Sequence, residues 1–420
     1  MVLVLKFQIS IVLWNLNREI FAMSKTTDSP NPINTEWQQK YSTSFSPSPA
    51  NQKLRHPNGD RREGVKVEDN VLNDDLKDYP TCTISIMVAR TDLPFMMHTI
   101  PHLMRMCDFP FVERVLFVDT APLSGEKVNR PGVGSMEQLR ECCDRLLKSG
   151  VVDKVVDMDY SASYRDRIYR KHFGAPISST HNYKGYPILG SIFSIEEVQG
   201  DYMLHFDSDM LLYQQPGYNW VLEGIKLLQK HPEVMAVRPL TGPPTYNGSI
   251  HQSVPYDRDP DGFYRFKFFS SRAFLIDRKR FDSLLPLPVM WRSYKNTILN
   301  RLPTSVKTSL NCLTGKGLLD SWELMVSKRL EETSYIRAAL ESPQAWTIHP
   351  KERGPEFIEA LPKIIEKIEM GRYPTGQAGH YDLIFKDWLE ELANDQTSMV
   401  KNWGSQSQMS FKHDSERTKI

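Results

Sequence analysis

Two carboxylates one residue apart, Asp207 and Asp209 with Ser208 between them, are the sharpest chemical feature of this 420-residue chain. Spaced i, i+2 around a small residue, they can reach one divalent cation with no side chain crowding between them. Hard cations such as Mg²⁺ or Mn²⁺ take such oxygen ligands and share them with substrate phosphates. The same triplet also arises as a plain acidic turn. Its position argues for more, because Tyr202-Met203-Leu204-His205-Phe206 directly before it reads as a buried strand. The pair then falls at a strand's carboxyl end, where open α/β sheets bind their ligands.

Other candidates fall at the ends of earlier strand-like runs. Arg90-Thr91-Asp92 follows one, and Asp119-Thr120 follows another. A carboxylate at that edge can accept from a base N–H or a ribose hydroxyl, which selects a nucleoside over a bare phosphate. The competing structural roles are an N-cap for Asp92 and a turn for Asp119. Lys184, in His181-Asn182-Tyr183-Lys184-Gly185, can hold a diphosphate or balance the acidic pocket; the alternative is a solvated surface lysine.

These residues need a frame, and the chain alternates strand and helix patterns. Thr83-Ile84-Ser85-Ile86-Met87-Val88-Ala89 is a short, β-branched, nearly continuous apolar run, as a strand buried on both faces shows. Helix patterns are expected at 93–107, 136–149, 186–199 and 219–230, and strands at 115–118, 151–158, 201–206 and 234–237. Strands alternating with helices imply βαβ units and a mostly parallel sheet covered on both faces. After Leu240 the alternation lapses. Residues 241–262 read as a long functional loop, 263–276 as antiparallel strands, 319–332 as a helix and 346–349 as a terminal strand. Two helices are expected after it, at 356–370 and 381–392.

Composition bounds the rest. Lys plus Arg number 52 against 51 Asp plus Glu, a net charge of +1, which argues against broad electrostatic binding of nucleic acid. With 40% hydrophobic and 25% charged residues the chain is neither collagen-like, wholly disordered nor membrane-embedded. Five cysteines without a C-x-x-C pair give no disulfide framework or zinc cluster, and a reduced, cytoplasmic setting is expected. Residues 1–16 are apolar but shorter than the roughly 20 that span a bilayer. They leave open an interfacial anchor with weak membrane association, or an over-long start ahead of Met23. Residues 1–80 read as a flexible arm, 81–350 as the catalytic domain, 351–393 as a helical extension and 394–420 as a flexible tail.

Four pieces in order carry a family resemblance. They are Thr83 to Thr91, Val115-Leu116-Phe117-Val118-Asp119, Gly200 to Asp209, and Asp320-Ser321-Trp322-Glu323-Leu324. Together they resemble the nucleotide-sugar-dependent glycosyltransferases of the GT-A fold, most of all the family 2 group. The resemblance implies a Rossmann-like α/β domain with a mostly parallel mixed sheet, helices on both faces and C-terminal helices added. It implies a nucleotide-sugar donor, UDP-linked, and a glycan, lipid or small-molecule acceptor. By the same resemblance Thr91, Asp119 and Asp207 would bind the donor, and Arg90 and Lys184 join them as candidates from their positions. Asp207, Asp209 and a late histidine, His349, would hold Mn²⁺ or Mg²⁺, and Ser271-Arg272-Ala273-Phe274 would lie near the acceptor.

Departure of a diphosphate from an anomeric carbon builds negative charge that a cation held by Asp207 and Asp209 would stabilise. An inverting enzyme also needs a carboxylate to take the acceptor's proton. Asp320, at the start of the last motif, is the natural source, or else only that helix's N-cap. Family 2 members carry Glu-Asp at this point, and here the Asp position holds Ser321. The base is then Asp320 or Glu323, and a retaining mechanism stays open. The 241–262 loop is expected to be an acceptor-side lid, with Tyr246, His251, Tyr256 and Tyr264 available to stack on sugar. The competing readings are a nucleotidyltransferase, disfavoured because no Gly-rich basic loop follows the first strand, and a catalytically inactive binding protein.

Overall fold

The computed structural model describes residues 80–293, 300–315 and 317–394. Of the expected arm at 1–80 and tail at 394–420, all but residues 80 and 394 lie outside them. The apolar run at the start of this body forms strand β1, Cys82–Val88, with six of its seven residues buried. Both faces of such a strand must be covered, and the side chains divide accordingly. Ile84, Ile86, Leu116, Val118, Leu204 and Phe206 enter one apolar cluster with the helices Met96–Met106, Met136–Lys148 and Trp220–Lys230. Val115, Phe117, Met203, Phe274 and Ile276 enter another with the helices Ala162–Phe173, Leu189–Glu196 and Trp322–Glu331. Alternate residues of one strand thus serve opposite layers, as the period of two requires.

The strands are β2 Glu113–Val118, β3 Lys154–Asp157, β4 Tyr202–Asp207, β5 Leu211–Gln214, β6 Val234–Arg238 and β7 Leu240–Thr241. They continue with β8 Asp257–Asp259, β9 Phe263–Phe266, β10 Ala273–Asp277, β11 Ile336–Leu340 and β12 Ala345–Ile348. The main sheet runs β3-β2-β1-β4-β10-β6-β11-β9-β8. Neighbours are parallel from β3 to β4 and between β6 and β11, while β10 and β9 run the other way. This is the expected mixed, mostly parallel α/β sheet with helices on both faces. A smaller sheet, β5-β12-β7, carries a third apolar cluster with the helix Pro355–Glu369.

Several boundaries differ from the sequence reading. The helix expected from 93 starts at Met96, because Arg90–Asp92 first make a 3₁₀ turn. Asp92 is therefore not that helix's N-cap: its carboxylate accepts the Ala89 N–H within the turn. The helix expected at 186–199 spans only Leu189–Glu196, since residues 182–187 form a tight turn with Gly185 at φ +86°. The helix Ala162–Phe173 and strands β5 and β11 were not foreseen. The first is rich in Arg, Tyr and Lys, which hides its apolar stripe. None of the five cysteines is disulfide-bonded. Among the described residues no helix is long and apolar enough to cross a membrane.

One buried ionic node ties two of these helices together. Glu196 accepts from Lys171 Nζ at 2.7 Å and lies 2.7 Å from Nε2 of fully buried His172. Burial alone would raise its carboxyl, but His172 and Lys171 outweigh that and hold it at about 2. The depressed value means stability that is present above the unfolded value near 4.5 and lost as pH falls toward 2. Glu196→Gln is therefore expected to lower unfolding free energy by about 1–3 kcal/mol at neutral pH. The gap should close progressively between those two values, as read by urea titration across the acid range.

Candidate active site

The parallel register brings the predicted residues to one edge. Met87 of β1 pairs with Asp207 of β4, and Val88 with Val118 of β2. The segments that follow these strands therefore emerge together, and with them Thr91, Asp119, Asp207 and Asp209. They line a cleft of about 550 Å³. The same cleft is lined by Lys184, Asp320, Glu323 and His349. Arg90 alone of the predicted site residues is not in that lining; its turn carries Thr91 and Asp92 inward instead.

The acidic pair is held by backbone contacts. The Asp207 N–H donates to the Arg272 carbonyl at 2.8 Å, and Thr99 Oγ1 donates to the Ser208 carbonyl. Asp207 leaves its carboxylate 36% exposed to the cleft, 3.5 Å from Nε2 of His205, whose Nδ1 meets Ser85 Oγ at 3.1 Å. Asp209 is only 11% exposed. Its Oδ2 accepts from the Arg353 guanidinium and lies 3.7 Å from His349 Nε2. Burial opposes its charge, yet His349, Arg353 and Arg272 hold it well below the usual carboxylate range. His349 faces Asp209 on one ring nitrogen and Asp382, at 3.5 Å, on the other. Burial works against its protonation, but these two carboxylates raise it above its ordinary value.

A divalent cation can be tested against these groups. Asp209 Oδ1 is a buried acceptor with no hydrogen-bond partner, while Oδ2 takes the Arg353 guanidinium. Asp207 adds a second, open carboxylate. Among the described residues no three His, Cys, Asp or Glu side chains converge as a ready-made cage. Mg²⁺-like ions need no such cage: one or two carboxylates with waters and substrate phosphates suffice. The donor set fits such an ion.

One end of the cleft is built around Asp119. It accepts from Tyr160 Oη at 2.7 Å and the Ala121 N–H at 3.1 Å, and lies 3.2 Å from His181 Nε2. Burial pushes its carboxyl up, but His181 and Lys127 bring it below the ordinary value. Thr91 is buried and donates to Asp92 Oδ1. Lys184 pairs with Glu126 at 3.1 Å on the rim. There the 124–126 backbone packs on Gly185 so closely that a Cβ would lie 1.9 Å from the Ser124 carbonyl oxygen.

At the opposite end the helix Trp322–Glu331 is capped by Ser321, whose hydroxyl accepts the Leu324 N–H at 3.2 Å. The N-cap role considered for Asp320 thus belongs to the next residue. Asp320 Oδ1 accepts the Ser321 N–H, and Oδ2 lies 3.8 Å from Arg292. Glu323 Oε2 accepts from the Ser271 N–H at 2.8 Å and Ser271 Oγ at 2.9 Å. Ser271, Arg272 and Phe274 reach the cleft at the start of β10.

The long loop does not behave as expected. Tyr246 is fully exposed, His251 stacks on His380 at 4.5 Å, Tyr256 bonds the Ile250 carbonyl, and Tyr264 is buried in β9. None of the four lines the cleft: Tyr246 stands in solvent, and the other three are taken up in local packing. Sequence reasoning also missed Lys127, Arg130 and Arg353, which do line it. Lys127 and Arg130 sit in an aperiodic stretch and face the Tyr186 ring. Arg353 lies four residues after His349, a spacing with no chemical signature of its own.

No family model matches the chain, and no curated protein matches it. Among solved structures it is similar to GalNAc-T7 with UDP, GalNAc and Mn²⁺, at 14% identity and a TM-score of 0.37 over 65% of this chain. The match spans 44% of the GalNAc-T7 chain, less than half its length. A mycobacterial protein matches at 12% identity and a TM-score of 0.31, covering 70% of this chain and 75% of that one. Glucosyl-3-phosphoglycerate synthase from Mycobacterium tuberculosis, with Mn²⁺, UDP and glucosyl-3-phosphoglycerate, matches at 11% identity and a TM-score of 0.29. That match covers 70% of this chain and 80% of the synthase.

Proposed function

We infer that this chain is a GT-A-type glycosyltransferase that moves a sugar from a nucleoside diphosphate sugar, UDP-linked, to an acceptor hydroxyl. One observation carries the reading: Asp207 and Asp209 stand together at the carboxyl end of a central parallel strand and face one cleft. Asp119 and Thr91 would receive the nucleoside, with Lys127 and Lys184 flanking the diphosphate. Asp207 and Asp209 would hold Mn²⁺ or Mg²⁺, with His349 beside them. Such an ion supplies charge stabilisation to the departing diphosphate.

The remaining steps belong to the protein's own side chains. Arg272 lines the same cleft as the acidic pair and Glu323, so it can balance anionic charge near the anomeric carbon. The acceptor oxygen attacks that carbon as the bond to the diphosphate oxygen breaks. The acceptor proton passes to a carboxylate at the helix opened by Ser321, and attack from the face opposite the diphosphate inverts the anomeric centre.

Labelled UDP-sugars incubated with the full chain and Mn²⁺ test the reading. Release of nucleoside diphosphate, absent without a divalent ion, is the expected result. Pyrophosphate release would point to nucleotidyl transfer, and an unchanged donor to a binding protein; either outcome removes the assignment.

A further inference from the structure

We propose that the face formed by residues 300–315 and 317–319 docks on an anionic lipid surface beside the acceptor end of the cleft. The first observation is charge. Between Asp282 and Asp320 the sequence has five basic residues, Arg292, Lys295, Arg301, Lys307 and Lys316, and no Asp or Glu. The whole chain is balanced at +1, so this asymmetry is local.

The second observation is exposure. Leu313 is 86% exposed, Leu318 62% and Val306 46%, although Val306 and Leu313 lie on one face of the helix Thr304–Thr314. Apolar side chains left this bare, in a stretch whose charged residues are all basic, match what an interfacial segment presents: apolar groups for the acyl boundary and positive charge for the headgroups. Each nearby Lys or Arg adds attraction to an anionic leaflet.

The third observation is attachment. Trp291 bridges to Leu319, and its Nε1 donates to Thr308 Oγ1 at 3.0 Å. The Arg292 N–H donates to the Leu318 carbonyl, and its guanidinium lies 4.2 Å from the Tyr183 ring and 3.8 Å from Asp320. The face is thereby fastened to the rim that carries Asp320. Only this orientation toward an acceptor rests on the proposed function; the docking itself does not.

The test is co-sedimentation of the full chain with phosphatidylcholine vesicles, with and without about a third phosphatidylglycerol. The full chain should sediment with the anionic vesicles, far less with neutral ones, and be released by high salt. The double variant Leu313→Ser/Leu318→Ser should lower the bound fraction at least about fivefold. Its release of nucleoside diphosphate in vesicle-free buffer should equal that of the parent. Equal binding by parent and variant would assign any attachment to another part of the chain and overturn the proposal. So would no binding to anionic vesicles, or a dimer that the variant abolishes. Since donor turnover is read separately, failure of docking and failure of the glycosyltransferase reading are distinct results.

Discussion

Replacing Asp209 by Ala is expected to abolish sugar transfer and its dependence on Mn²⁺ while the protein stays folded. The size follows from what the carboxylate would do. Charge stabilisation of a departing diphosphate is worth several kcal/mol, so kcat/KM should fall by at least about 10³-fold. Persistence of the fold follows from where the residue sits. Asp209 lies after β4, outside the three apolar clusters that hold the sheets and helices together. The substitution leaves Arg353 and His349 without their shared counter-charge. Asp209→Asn keeps the shape and a carbonyl acceptor for Arg353, and separates that local cost from the loss of cation binding. Both variants should match the parent in far-UV circular dichroism and lose the Mn²⁺ signal in a binding titration. Metal-dependent turnover at the parental rate in either would remove the central assignment.

Much of this frame was legible in the chain because its strands announce themselves. Continuous β-branched runs such as Thr83 to Val88 and Val115 to Val118 have no alternative to burial on both faces, and the residues just after them had to share one edge. Asp119, Asp207 and Asp209 reach one cleft for that reason. Features set by tertiary contacts were not legible. Strand β11, Ile-Arg-Ala-Ala-Leu, carries a buried arginine, Arg337, whose Nε donates to the Phe268 carbonyl and whose guanidinium lies 3.9 Å from the Phe266 ring. No sequence pattern announces that. Aromatics in the 241–262 loop suggested a sugar platform, but the tyrosine hydroxyls of Tyr256 and Tyr264 are spent on backbone carbonyls within and beside the loop. Arg353 shows the converse case: an unremarkable residue made prominent because the turn after β12 carries it onto Asp209.

Under the proposed reaction two carboxylates, Asp320 and Glu323, compete for the acceptor's proton, and their surroundings distinguish them. Glu323 is fixed: two donors from Ser271 hold Oε2, which orients the carboxylate without consuming Oε1. It also shares its end of the cleft with the acidic pair, since Arg272 feels the charges of Asp207, Glu323 and Asp209 together. Asp320 is turned toward the rim, between the Ser321 N–H and Arg292. A base must stand on the far side of the anomeric carbon from the diphosphate, in a geometry held before the substrate arrives. Glu323 meets the second demand through its two Ser271 donors, so Glu323→Gln is expected to lower kcat by about 10²–10⁴-fold with little change in UDP affinity. Asp320→Asn should cost less than about tenfold, mainly in acceptor KM, because it removes a rim contact and not the proton acceptor. Ser271→Ala should lie between them, since it frees one of the two donors that aim Glu323 and leaves the carboxylate itself. Steady-state kinetics on the three variants, with UDP binding measured by calorimetry, give the ranking. A loss confined to Asp320→Asn would transfer the role to Asp320, and parental kcat in both carboxylate variants would exclude base catalysis from this helix.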